Sequence, residues 1–121
     1  MTRPRIRLLI GDTVALGPGK AALLEAIAET GSIASAARRM RMSYRRAWSL
    51  VQAMNADFTK PLVERAAGGR GGGGAVVTPL GHDAIERYRT MEARASAAVE
   101  SDLDGFTALL KPQVSNPDTD G

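Results

Sequence analysis

Apolar positions along this chain change their period several times, and each change marks an element. Arg5-Ile-Arg-Leu-Leu-Ile10 is short and partly alternating, which predicts a strand. Gly11-Asp12 predicts a turn, and Thr13 to Leu16 a returning strand. Gly17-Pro18-Gly19 breaks the pattern. From Lys20 to Glu29 the apolar residues Leu23, Leu24, Ile27 and Ala28 recur at helical spacing, and Gly31 stands where a helix ends. Ser32 can cap a second, short helix whose buried stripe is Ile33, Ala36, Ala37 and Met40. After a tight turn at Arg41-Met42, Ser43 can cap a third helix, from about Tyr44 to Asp57. At about 100° per residue, Ala47, Leu50, Val51, Met54 and Phe58 share one side of it. Arg45, Ser49 and Gln52 point to the other, flanked by Arg46 and Trp48.

Two more strands follow, Pro61 to Arg65 and Ala75 to Thr78, around the glycine-rich run Gly68 to Gly74, whose one side chain is Arg70. Thr78 is a natural cap for a last helix over about 79–103. Its apolar stripe runs Leu80, Ala84, Ile85, Tyr88, Met91, Ala95, Ala98 and Val99. So long a stripe exceeds what a hairpin of this size can cover, which predicts a partner helix. The order of elements predicts a mainly α fold with a small β component. It is a winged helix-turn-helix over residues 1–104 with a long C-terminal dimerisation helix. Residues 105–121, rich in proline and acid toward the end, are expected to form a disordered tail.

Composition narrows the chemistry. The 121 residues hold no cysteine and one histidine, His82, so thiolate and multi-histidine metal sites are excluded. No apolar run is long enough to span a membrane, and no secretory leader opens the chain, so a cytoplasmic place is expected. Charge is unevenly spread: residues 1–81 hold 12 basic and 5 acidic groups, and residues 82–121 hold 4 and 8. Residues 38–70 alone hold 8 basic and 2 acidic groups. A concentrated basic surface fits nucleic acid.

The glycine run lacks the Gly-Lys-Ser/Thr ending and the following helix of a phosphate-binding loop, and one arginine is too few for an RNA-binding arginine–glycine segment. Glu25 and Glu29 share a helix face, but no nucleophile or ligand set accompanies them, so a solvated face is expected. No enzyme constellation is present.

A helix-turn-helix of this form projects its third helix into the major groove. Ser43, Tyr44, Arg45 and Arg46 open that helix. Ser43 with the free N–H groups there suits a phosphate, and Arg45 suits a guanine edge. Tyr44 suits either a phosphate contact or a structural cap. Ser49 and Gln52 are further contacts, Trp48 is expected to pack between helix and wing, and Arg70 is expected in the minor groove. Ser35, Arg38 and Thr78 complete the expected DNA-contact set. Ile85, Tyr88, Met91, Ala95 and Val99 form the expected dimer stripe.

Gly31-Ser-Ile-Ala-Ser-Ala-Ala37, Ser43-Tyr44, Ala47-Trp48, Met54-Asn55, Leu62-Val-Glu-Arg-Ala66 and the glycine wing through Thr78 together resemble the N-terminal domain of the ModE family of molybdate-responsive bacterial regulators. The resemblance covers roughly residues 5–100, and a weaker one to LysR-type DNA-binding domains covers the same helices. It implies a homodimer on an inverted-repeat operator of double-stranded DNA. The family's separate molybdate-binding domain has no counterpart before Gly121, so no cofactor is expected, and sensing is left to a separate effector-sensing protein or to expression level. The rival class is a winged-helix interaction module without specific DNA readout.

Overall fold

A computed structural model describes residues 5–66 and 74–112. The chain runs β1 (Leu8–Ile10), β2 (Thr13–Leu16), α1 (Pro18–Thr30), α2 (Ile33–Arg39), α3 (Tyr44–Asp57), β3 (Val63–Arg65), β4 (Ala75–Val77) and α4 (Pro79–Thr107). β1 and β2 pair antiparallel, as do β3 and β4, in two separate two-stranded sheets.

Local chemistry sets most of the boundaries. Pro18 stands in the first turn of α1, where its missing N–H is tolerated, and Gly31 ends the helix at φ 71°. The Ser32, Ser43 and Thr78 hydroxyls each accept a backbone N–H three residues on, from Ser35, Arg46 and Gly81. α2 closes through two bonds: Met42 N–H donates to the Ala37 carbonyl and Arg41 N–H to that of Arg38. This pairing needs a left-handed residue at its centre, usually glycine. Here it is Arg41, at φ 56°, which costs about 1–2 kcal/mol relative to an ordinary conformation.

The core gathers where α1, α2 and α3 meet the second hairpin. Leu23, Leu24, Ile27, Val51, Met54 and Leu62 are fully buried, with Ala36, Ala37 and Ala47 at the helix crossings. Ala28, expected on the buried stripe of α1, faces solvent, and Ala21 and Ala26 are buried instead. Leu50 and Phe58 are half-buried at the edge of the core.

The second hairpin is tied to the helices from both sides. The Asn55 side chain accepts the N–H groups of Leu62 and Val63 and donates to the Val63 carbonyl. On the other edge Ala75 N–H donates to the Gly31 carbonyl, and Ser32 bridges to Gly74. The turn between α1 and α2 is thus joined to the hairpin by one isolated bridge.

α4 continues past residue 103 to Thr107, so residues 105–107, expected in the tail, are helical. Residues 113–121 of that expected tail lie outside the described residues. Tyr88 departs further from expectation. It is 1 % exposed, and its hydroxyl donates to the Ile6 carbonyl. Its bulk is needed to fill the space between α4 and the first hairpin, so it offers no surface to a partner. No described helix is long and apolar enough to cross a membrane.

Candidate nucleic-acid interface

α3 buries Ala47, Val51 and Met54, and the same geometry turns Arg45, Arg46, Ser49 and Gln52 outward, all exposed. Tyr44 and Trp48 stand one turn apart on this helix, 55 % and 46 % exposed. They line a shallow groove between α3 and the second hairpin, with Gln52 on one bank and Glu64 and Arg65 on the other. Trp48, expected to pack between helix and wing, lines this groove with nearly half of it open to solvent.

Electrostatics separates this face from the rest of the molecule. Among the described residues, the guanidinium groups of Arg41, Arg45 and Arg46 have no acidic partner. Arg38 is engaged only by the Ser35 hydroxyl, at 3.1 Å, so these two expected contacts stand side by side. Acids pair elsewhere. Glu29 holds Arg39. Glu25 binds Arg89 through two bonds, of 2.5 and 3.2 Å, and Glu92 holds the same guanidinium at 2.9 Å. Hydrogen bonding to Glu25, then to Glu92, raises the Arg89 pKa above its ordinary value, against the effect of burial. Glu25 and Glu29, expected as a solvated face, are therefore ion-pair partners that fix α1 to α4 and to α2.

The Ser43 hydroxyl caps α3 at an exposed helix start, so the other free N–H groups of that turn face solvent with Arg45 and Arg46. Thr78 does not join this face. It is 8 % exposed, and its hydroxyl caps α4 while donating to the Pro61 carbonyl at 2.8 Å. Its expected DNA contact is corrected to a structural role at the hairpin–helix junction. Arg70 and residues 67–73 lie outside the described residues.

Two structural residues escaped the sequence reading. Asn55 joins α3 to β3, and only its place at the end of an otherwise regular helix hinted at this. Gly81 packs its bare Cα against the hairpin: a Cβ there would meet the Leu62 carbonyl oxygen at 2.4 Å and Val77 Cγ1 at 2.6 Å.

Residues 20–82, just over half of the 121, match the model of the bacterial regulatory helix-turn-helix proteins of the lysR family. The chain belongs to that family. This LysR-family chain is also 46 % identical over 86 residues to the molybdenum-pterin-binding protein MopB of Rhodobacter capsulatus, across 71 % of this chain and 32 % of the relative. It is 45 % identical over 71 residues to the DNA-binding transcriptional dual regulator ModE of Escherichia coli K12, across 59 % of this chain and 27 % of the relative. The resemblance to ModE read from the sequence is upheld. The chain spans about a third of the length of such curated relatives. Among solved structures, the CbnR DNA-binding domain in its DNA complex superposes with a TM-score of 0.57 at 26 % identity, covering 72 % of this chain and 94 % of that one.

Proposed function

We propose that this LysR-family chain is a sequence-specific, DNA-binding transcriptional regulator that reads an inverted-repeat operator as a homodimer. The observation that carries the reading is the outward row of α3, where Arg45, Ser49 and Gln52 are exposed and Arg45 and Arg46 have no acidic partner among the described residues. Arg45 sits in the first turn, where a recognition helix meets base edges. We read Arg46 and the Ser35–Arg38 pair as phosphate contacts, which set register rather than sequence. Arg70, at the wing, is read as a minor-groove contact.

Assembly is supported by the outer face of α4. Met91 and Val99 are 42 % and 37 % exposed, and Ala95 lies half-buried between them. Ile85 is partly packed on the core and borders this face. Two copies paired there would present two α3 helices to successive major grooves, about 34 Å apart. We read the targets as genes of molybdenum handling, since MopB and ModE carry that element in their names or company. We read the chain as a cytoplasmic binding protein that works without a bound cofactor.

Titration of bound DNA fragments over a salt series tests the reading. Affinity for the preferred site should fall steeply as salt rises. Arg45→Ala should weaken that site by about 1–3 kcal/mol and relax one base preference. Equal affinity of wild type and variant for all sequences would leave only a non-specific basic surface.

A further inference from the structure

Among the described residues the backbone turns left-handed at three places, and two of them are glycines, Gly11 at φ 65° and Gly31 at φ 71°. The third is Arg41, at φ 56°. Glycine takes this conformation without a steric cost, and asparagine or aspartate eases it by bonding locally. Arginine has no acceptor with which to do so. Its neighbours impose the turn instead. The Met42 and Arg41 amides are held by the Ala37 and Arg38 carbonyls, at 3.0 and 3.1 Å. The Met42 side chain packs against the core, and the Ser43 cap follows at once. Strained backbone that its surroundings enforce gathers at functional positions.

The Arg41 side chain itself is uncommitted. It is exposed, and among the described residues no acid pairs with it. Arg39, two residues earlier, is held by Glu29. In a helix-turn-helix the first helix of the motif crosses the DNA backbone, and the second enters the major groove by its N-terminal residues. Residue 41 lies between the two, beyond Arg39 at the end of α2 and before the Ser43 cap of α3. A cation at this point stands where the phosphates pass.

We infer that Arg41 is a phosphate contact, and that the turn between α2 and α3 is kept strained to set a positive charge at the lip of the major groove. The inference rests on the DNA-binding reading above. A phosphate contact fixes register and adds affinity without choosing bases. Arg41 thereby differs from Arg45, whose place in the first turn of α3 aims it at base edges. Glycine at position 41 would make the better turn and forfeit the contact, so the position exchanges stability for affinity.

Three variants separate strain from charge. Arg41→Gly relieves the crowding, while Arg41→Ala keeps it and Arg41→Lys keeps both crowding and charge. In thermal melts Arg41→Gly should stand above Arg41→Ala by a few degrees and no lower than wild type, the freer unfolded chain offsetting part of the gain. Binding is followed by fluorescence anisotropy over a salt series, on a DNA fragment that wild type selects from a random pool and on an unrelated fragment. Arg41→Gly and Arg41→Ala should each weaken both fragments alike, on the order of tenfold. The slope of log affinity against log salt should shrink by about one. Arg41→Lys should keep the slope, since a lysine serves a phosphate as a point charge.

Arg41→Gly binding as tightly as wild type would overturn the inference. Lost affinity with an unchanged salt slope would do so too, since the turn would then act by aiming α3. A loss confined to the selected fragment would make Arg41 a base reader. Arg41→Gly melting below Arg41→Ala would remove the strain. Wild type that binds neither fragment at low salt would remove the DNA-binding reading and the inference together, whereas salt-dependent binding shared equally by all three variants would remove the inference alone.

Discussion

By helix propensity alone a glycine at position 81 of α4 would be a weak spot, and its surroundings reverse that. Alanine is ordinarily favoured over glycine in a helix by about 1 kcal/mol. At this position the new methyl would push on the Leu62 carbonyl and Val77. Overpacking of this kind costs about 1–3 kcal/mol, and a backbone carbonyl has little room to yield. Gly81→Ala should therefore lower stability, by up to about 2 kcal/mol after the helix gain is counted. Gly19→Ala, in α1 where an added Cβ would meet nothing within 4 Å, should leave stability unchanged or raise it. Urea melts of both variants check the contrast, and equal melts would remove the packing argument. The three serine and threonine caps were legible from sequence because a cap bonds only three residues away. Gly81 was not, since its constraint comes from residue 62, brought close only by the fold.

At the scale of elements, helix faces were the most legible feature. Arithmetic on Ala47, Val51 and Met54 placed Arg45, Ser49 and Gln52 outside, where they stand. The same arithmetic put Tyr88 on the assembly stripe, because period alone cannot say which neighbour covers a face. Tyr88 is taken by the first hairpin. Its phenol pKa lies above the ordinary 10.0, chiefly through burial and then through Glu92. A raised folded-state value means that the contribution is complete below about pH 10 and is lost as pH rises through the folded value. The stability of wild type minus that of Tyr88→Phe should be about 1 kcal/mol near neutrality and shrink above pH 10. Denaturant melts across alkaline pH check it, and a difference independent of pH would show that the hydroxyl does not titrate in this way. Asn55 acts between elements. Asn55→Ala leaves the N–H groups of Leu62 and Val63 without their acceptor, which should cost about 1–3 kcal/mol. It should weaken DNA binding as well, by loosening the wing from α3, and a titration at a temperature where the variant is folded separates the two effects.

Over the whole molecule, charge is sorted by element. The basic groups of residues 38–70 gather around α3 and the second hairpin, while acids dominate after residue 82. Two of the five acids in the first part, Glu29 and Glu25, are drawn into pairs with Arg39 and Arg89, neither of which lies on α3. The sorting was legible by counting. The pairing was not, because Glu25 and Arg89 are 64 residues apart. One further contact shapes how this body opens. The carbonyl of Gly31, the residue that ends α1, holds the amide of Ala75, the first residue of β4. The wing therefore cannot peel off while the turn between α1 and α2 stays in place. The two form one cooperative opening unit, and the Ala75 amide exchanges its hydrogen with solvent only when that unit comes apart.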